Sequence, residues 1–413
     1  MKTEDRSTDV SIIGGGPIGS YAAFRLSKMG YHVEIIERDP QTGRPQQCAG
    51  LVNRRLFELP GVSDMEDKVT LNRIIGADIY SPSGKRLGLR GKQTKAHSID
   101  RARFDQELFN KAIKAGVSAW VGQKVTSTPR DGNQGFIFES RGYLGAIEHR
   151  SSFVIGCDGP NSITRSSLGL GPPRTIMPGL SIEALVRRNG FPKDLVAVFT
   201  GQENTRGFFS WAVPAGVDNH VRIGLASQDG RDFKRSIRSL LDDERLKEWL
   251  GLEDGSGPAV QGQLGWNYGG VPMGSPPSLI NGHGLILGDS AGMAKPTSGG
   301  GIYPGMLAVD ELMNSIEEKG DLNGESLQLF KIRWKRGYGR ELERSRIFRK
   351  IISQIKDEEI ELVFEKLSDP EMLEIINDQG DIDHPLRLAL SLLKKDPSLL
   401  KLLPRFLPHL RKL

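Results

Sequence analysis

The chain has 413 residues, 37% of them hydrophobic, a net charge of +5 and 50 glycines, which suits a turn-rich α/β protein with large cores and two intimately joined domains. No apolar run approaches the roughly 18 residues of a membrane span, and the charged N-terminus is unlike a signal peptide. The two cysteines, Cys48 and Cys157, make neither a disulfide framework nor a metal site, so a reducing cytoplasm is the expected compartment.

The opening stretch carries the strongest signal. Val10, Ile12 and Ile13 read as a buried parallel strand that breaks at Gly14-Gly15-Gly16-Pro17-Ile18-Gly19. Ala22, Ala23, Leu26 and Met29 then follow at helical spacing to a stop at Gly30, and a second strand from Val33 to Ile36 ends in Glu37. This is a βαβ unit with GxGxxG at the strand–helix turn and an acid about 20 residues on. Gly14 allows the tight turn, Gly16 lets a pyrophosphate approach the backbone, and Gly19 lets helix and strand pack closely. The free N–H groups of the helix start face the diphosphate, and Glu37 accepts from a ribose hydroxyl.

A polar excursion follows Arg38-Asp39-Pro40 and runs through Gly43 and Pro45 to Gln46-Gln47-Cys48-Ala49-Gly50. Residues 98–116 carry a helical period, entered at Ser98 or Asp100, with Phe104, Leu108 and Ile113 expected inward. Arg101 falls in the first turn, where a cation opposes the helix dipole. That points to an anionic partner nearby or to an ordinary surface arginine. Strand-like pieces at 119–126, 135–139 and 152–155 lead into Gly156-Cys157-Asp158-Gly159, with Cys157 read as a small core residue.

From 176 to about 270 the pattern is β-rich, with strands expected at 182–186, 195–200, 208–213 and 221–226 and a charged helix at 229–250. No βαβ rhythm survives there, which predicts an inserted antiparallel sheet. An apolar strand at 284–287 then enters Gly288-Asp289-Ser290-Ala291-Gly292, followed by Ser298-Gly299-Gly300-Gly301-Ile302 and a helix from 304 to about 316. Beyond 324 the chain is helical and basic. Nine Lys or Arg lie between 331 and 350, and Lys394, Lys395, Lys401, Arg405, Arg411 and Lys412 stand among leucines at the end. Such helices serve as solvated faces or as surfaces for anionic lipid headgroups, and with no nucleic-acid module present lipid ranks above nucleic acid.

Three elements taken together, GxGxxG with Glu37, Cys157-Asp158-Gly159, and Gly288-Asp289 with its glycine triplet, resemble the glutathione-reductase-type FAD folds in the branch typified by p-hydroxybenzoate hydroxylase. The implied fold class is α/β. A Rossmann-type FAD-binding domain (1–170 and 275–320) holds an inserted antiparallel β-sheet substrate domain (171–274), and a C-terminal helical, basic segment (321–413) follows. In that branch the Asp-Gly and Gly-Asp segments approach the cofactor. An aspartate at a strand end takes a ribityl hydroxyl, and glycine N–H groups at a helix start take the flavin's pyrimidine carbonyls, which implicates Asp158, Asp289 and Gly300. No second GxGxxG is present for a separate NAD(P) domain.

Over nearly its whole length the chain is similar to the archaeal geranylgeranyl reductases, which saturate the isoprenoid chains of digeranylgeranylglycerophospholipids. The resemblance implies FAD contacts at Gly19, Glu37, Arg38, Gln47, Cys48 with its loop residues Ala49 and Gly50, Arg101 (in Arg-x-x-Phe-Asp, with Phe104 and Asp105), Val125, Asp289, Gly301 and Ile302. That family's Pro-x-x-Tyr-x-Trp-x-Phe-Pro pocket motif falls on Arg206 to Pro214. Trp211 and Pro214 are kept, while Arg206, Phe209 and Val213 replace the motif's Pro, Tyr and Phe. The family's Cys-Gly-Glu-Gly loop is one residue shorter here and lacks the acid.

Phe209, Trp211 and Pro214 are thus the implied substrate contacts, in an apolar slot to which Phe208, Trp266 and Tyr268 also contribute. Trp211 and Cys48 are the catalytic candidates, Cys48 for positioning or proton delivery or else as an inert loop thiol. The implied partners are a prenylated glycerophospholipid, an external electron donor (ferredoxin, deazaflavin or NAD(P)H) and a peripheral membrane surface. Two other readings share the FAD elements: a flavin monooxygenase or halogenase, though the halogenases' Trp-x-Trp-x-Ile-Pro has no match, and a non-enzymic flavin electron-transfer or lipid-binding module.

Overall fold

The computed structural model describes residues 8–400 apart from 45–47, 127–129, 133–134, 187–189, 217–218, 229, 231, 253–259 and 382. Gln47 and the basic residues beyond 400 therefore lie outside the described residues.

Val10, Ile12 and Ile13 form the strand Thr8–Ile13, central to a nine-stranded sheet. Val33–Glu37 pairs with it in parallel on one side and Gly145–Gly156 on the other. Ser118–Val121 and Gly284–Ile286 extend the parallel series outward in the two directions. Because the order runs both ways from the first strand, a crevice opens at the carboxyl ends of the central strands. The helix Pro17–Lys28 packs against Arg101–Lys114 and Ile302–Lys319, with Leu26, Phe104, Leu108, Val309 and Leu312 in one buried core.

Phe104 and Leu108 point inward as expected, but Ile113 is 40% exposed. The buried stripe steps through Phe104, Leu108 and Ala112. One residue further the helix has turned about 100°, toward solvent.

The β-rich middle is a seven-stranded sheet in the order Val260–Met273, Thr175–Val186, His220–Ala226, Ser210–Pro214, Leu195–Phe199, Gly76–Tyr80 and Arg86–Arg90. Its pairings are antiparallel except that of Leu195–Phe199 with Gly76–Tyr80. A hairpin from early in the chain thus completes the far sheet. The charged helix is two helices, Phe233–Asp242 and Glu244–Trp249, broken at Asp243, whose side chain accepts from Arg245 N and caps the second. They cover the sheet face that bears Leu180, Ile182, Ile223 and Leu225.

From Gly324 the chain is helical, and Leu327, Phe330, Trp334 and Leu342 join the core of the first sheet. The basic run is not one free cationic face. Arg333 pairs with Glu311 and Glu318, Arg346 pairs with Glu343, and Arg349 is buried. Among the described residues no helix is long and apolar enough to cross a membrane.

Candidate cofactor and substrate site

Local geometry explains the glycine motif. Gly14 has φ +104°, and a Cβ there would lie 2.4 Å from the Cys157 carbonyl oxygen. At Gly19 a Cβ would lie 2.0 Å from the Gly14 oxygen, so the turn closes only with glycine at both positions. Beside Gly16 nothing stands within 4 Å of the Cβ position, and the helix beginning at Pro17 has no side-chain cap. No side-chain cap closes that end of the helix, as an anion-binding helix start requires.

Glu37 accepts from Gly15 N at 2.6 Å and from Asp39 N at 2.7 Å. Burial raises its pKa against the pull of those donors, and lone pairs remain for a further hydroxyl. Arg38 is exposed and pairs with Asp39 at 3.2 Å.

The two aspartates expected at the cofactor part company. Asp158 is fully engaged within its own turn: it accepts from Ser162 Oγ at 2.5 Å and from both Thr164 N and Thr164 Oγ1 at 3.0 Å. It frames the start of the short helix Ile163–Ser167. Asp289 accepts no side-chain hydrogen bond from the described residues, and one of its oxygens lies 3.0 Å from the Cβ position of Gly301. Burial lifts its pKa to about 6, with the Arg101 charge working against the rise. Gly301 in turn caps the helix Ile302–Lys319 without any side-chain help, so a second uncapped helix start faces the same crevice. Gly300 precedes it, and Ile302 packs partly on the core.

The Cys48 loop lies across from this. Arg101 makes a two-pronged pair with Asp105 at 2.8 and 2.9 Å, one helical turn on, so the anionic partner is within its own helix. Burial works to discharge Arg101, but the Asp105 carboxylate and the adjoining Cys48 outweigh it and hold the guanidinium charged. Gly50 N donates to Cys48 Sγ at 3.3 Å. Arg222, 5% exposed, donates to Ile99 O at 2.9 Å and Ala49 O at 3.2 Å, with Glu183 at 3.4 Å behind it. Arg222 is not among the residues expected at the site; its signal in the sequence is a lone cation within the otherwise apolar run Val221 to Ala226.

Arg222 and Gly224 alternate to the same sheet face, and Gly224 pairs with Trp211. The face that carries Trp211 therefore meets the Cys48 loop. Trp211 also packs with Met177, Met273, Phe208 and Ala294, the last just before the glycine-rich loop. Phe208 and Phe209 stack at 4.2 Å, and Phe209 meets Trp211 edge-on at 6.0 Å. The buried Trp211 Nε1 has no hydrogen-bond partner among the described residues.

Trp266 and Tyr268 are not part of this wall. They pair with Ile182 and Leu180 and so share the opposite, helix-covered face, where they are 53% and 61% exposed at the sheet edge. The Pro214 carbonyl accepts from Ser98 Oγ at 2.5 Å, tying the aromatic strand to the strand that precedes Arg101. Val125 is buried in Gln123–Val125 and pairs with Ser140.

An open, uncapped helix start beside an acid-ended strand accommodates a diphosphate and a ribose. The half-buried, unpartnered Asp289 beside a second helix start fits a polyhydroxyl linker and a ring with carbonyls. Fold and crevice together define a dinucleotide-binding flavoprotein. Residues 7–318 match the model of the FAD binding domain, the chain belongs to that family, and FAD is its cofactor.

Several near full-length relatives are archaeal. The chain is 27% identical to digeranylgeranylglycerophospholipid reductase 2 of Methanopyrus kandleri, over 98% of this chain and 99% of that one. It is 28% identical to the protein of the same name from Methanothermobacter thermautotrophicus, over 96% and 98%. Among solved structures, a geranylgeranyl bacteriochlorophyll reductase-like protein from Thermoplasma acidophilum superposes with a TM-score of 0.78 at 21% identity, covering 97% of this chain and 99% of that one, a likeness of fold.

Proposed function

We propose that the protein is an FAD-dependent reductase that saturates C=C bonds in the geranylgeranyl chains of archaeal glycerophospholipid precursors. The relatives' names support the substrate class. The observation that carries the reading is the aromatic series Phe208, Phe209 and Trp211 on the sheet face that meets the Cys48 loop and Ala294. An apolar wall beside a flavin site suits a hydrocarbon chain.

When bound and reduced, FAD supplies the hydride. An isolated trisubstituted alkene has no carbonyl to polarise it, so a proton must arrive first or together with the hydride. Positive charge then develops at the tertiary carbon, where the faces of Phe209 and Trp211 stabilise it. Cys48, which accepts from Gly50 N and adjoins Arg101, is the candidate for positioning or proton delivery. The helix start after Gly16 would hold the diphosphate, Glu37 the ribose, Asp289 the ribityl chain and the helix start at Gly301 the ring carbonyls. An external ferredoxin, deazaflavin or NAD(P)H supplies the electrons, and the C-terminal basic residues bring the protein to the cytoplasmic membrane surface.

The test is anaerobic. Protein reduced with dithionite and given digeranylgeranylglyceryl phosphate yields, by mass spectrometry, products heavier by one H₂ per bond saturated. Product that forms only in the presence of oxygen, or lipid left unchanged under every reductant, defeats the proposal.

A further inference from the structure

We propose that Asp383, far along the C-terminal segment, is a positioning residue for the cofactor: through Lys295 it anchors the loop 295–301 and balances the charge beneath it. The proposal rests on the reading of that loop as the flavin's cradle. The Asp383 side chain is fully buried and receives donors from two distant stretches of chain. Lys295 Nζ lies at 2.7 Å, Asn53 Nδ2 at 2.6 Å and Arg55 Nη1 at 3.2 Å. Asp381 takes the other side of Arg55 at 2.7 and 3.2 Å.

Lys295 also closes the loop upon itself. Its N–H donates to Gly300 O at 3.0 Å, and its own carbonyl accepts from Gly299 N at 2.8 Å. A Cβ at Gly300 would stand 3.1 Å from Lys295 Cε and 3.6 Å from Nζ. The ammonium group therefore lies against the glycine that precedes Gly301. A second side chain from the same segment, Arg349, donates to Pro296 O at 3.2 Å. The loop is gripped at two consecutive residues by side chains from beyond residue 318, where the family match ends.

A buried Lys–Asp pair presents little net charge to its surroundings, whereas either partner left alone presents a full one. Loss of the Asp383 charge strands the ammonium under the loop and favours the reduced, more negative form of the cofactor. Loss of the Lys295 charge does the reverse. The two single variants are thus driven in opposite directions, which a purely mechanical tie does not do.

The experiment compares full-length wild type, Asp383→Asn, Lys295→Met and the double variant. FAD affinity is read by fluorescence titration, the flavin midpoint potential by dye equilibration, and folding by thermal melting. Each single variant is expected to bind FAD about tenfold more weakly. The potential is expected to rise in Asp383→Asn and fall in Lys295→Met. The double variant strands no charge and returns the potential toward wild type, which keeps the test alive if Asp383→Asn does not fold. Shifts of the same sign, or no shift, in protein that still takes up FAD overturn the proposal and leave the FAD assignment standing. Wild type that takes up no FAD overturns the reading beneath it.

Discussion

Trp211 rests on Gly224. A Cβ at residue 224 would stand 2.5 Å from Cζ2 of the indole and 2.6 Å from Cε2, with Ser181 Cβ at 2.7 Å. Even Gly224→Ala must push the indole off its seat. We expect kcat/KM for the prenyl lipid to fall at least about tenfold while FAD affinity holds, as misplacement beside the reacting atoms does elsewhere. Unchanged turnover would detach Trp211 from the substrate.

With the ribityl chain at Asp289 as proposed, FAD binding is expected to depend on pH. The Asp289 pKa of about 6, raised by burial against the Arg101 charge, means that the carboxylate ionises only as pH climbs through that value. A ribityl hydroxyl donates best to the ionised form, so FAD affinity rises across this range, and Asp289→Asn abolishes the rise. Without cofactor the sign reverses. The folded value exceeds the 3.8 of an unburied aspartate, so the folded chain holds its proton longer than the unfolded one. The stability drawn from this group is present at low pH and is lost as pH rises from about 4 to about 6. Melting curves across that window, for wild type and Asp289→Asn, measure it.

Arg222 clamps the Cys48 loop through Ala49 O and the approach to Arg101 through Ile99 O. Arg222→Met leaves both carbonyls without their donor. A loss of about 2 to 3 kcal/mol in urea unfolding is expected, as for buried polar groups left unpaired. The Cys48 thiol should also react faster with a disulfide reagent. Both carbonyls are met by one nitrogen, Nη1, while Nε faces Glu183, so Arg222→Lys is expected to restore part of the clamp and to lose the Glu183 contact. Equal thiol reactivity in wild type and Arg222→Met refutes the clamp.

Cys48 has a kinetic test. If its thiol delivers the proton, Cys48→Ser slows single-turnover alkene reduction by about a hundredfold, within the usual range for general acid catalysis. An unchanged rate removes that role.

A cut after Leu400 tests the basic end of the chain and keeps Leu399, which is buried with Met372 and Ile376. Removing 401–413 takes away Lys401, Arg405, Arg411 and Lys412. Co-sedimentation with anionic vesicles should then fall at low salt and differ little at high salt. Equal binding by the shortened chain dissociates these residues from the membrane.

The glycine turn and Glu37 were legible because they belong to one βαβ unit of fixed spacing: Gly19 meets Gly14 within the turn, and the Glu37–Gly15 bond joins the end of the second strand to the same turn. Asp158 and Asp289 look alike in sequence, each at the end of an apolar strand. What separates them is the Ser162 and Thr164 that follow Asp158, a local capping pattern legible in the sequence. Trp211 and Trp266 could not be told apart by composition. Their opposite faces follow from strand register, which is fixed by pairings across the sheet. Nothing near Asp383 hints at Lys295, because that contact spans 88 residues.

The hairpin of Gly76–Tyr80 and Arg86–Arg90 lies parallel to Leu195–Phe199, a strand synthesised on the order of a hundred residues later. While the nascent chain emerges, that edge waits without its neighbour, and neither half has all its strands until the other is made. The gene accordingly offers no single cut between the FAD-binding sheet and the second sheet. A chimera that borrows a relative's second sheet must import this early hairpin along with it.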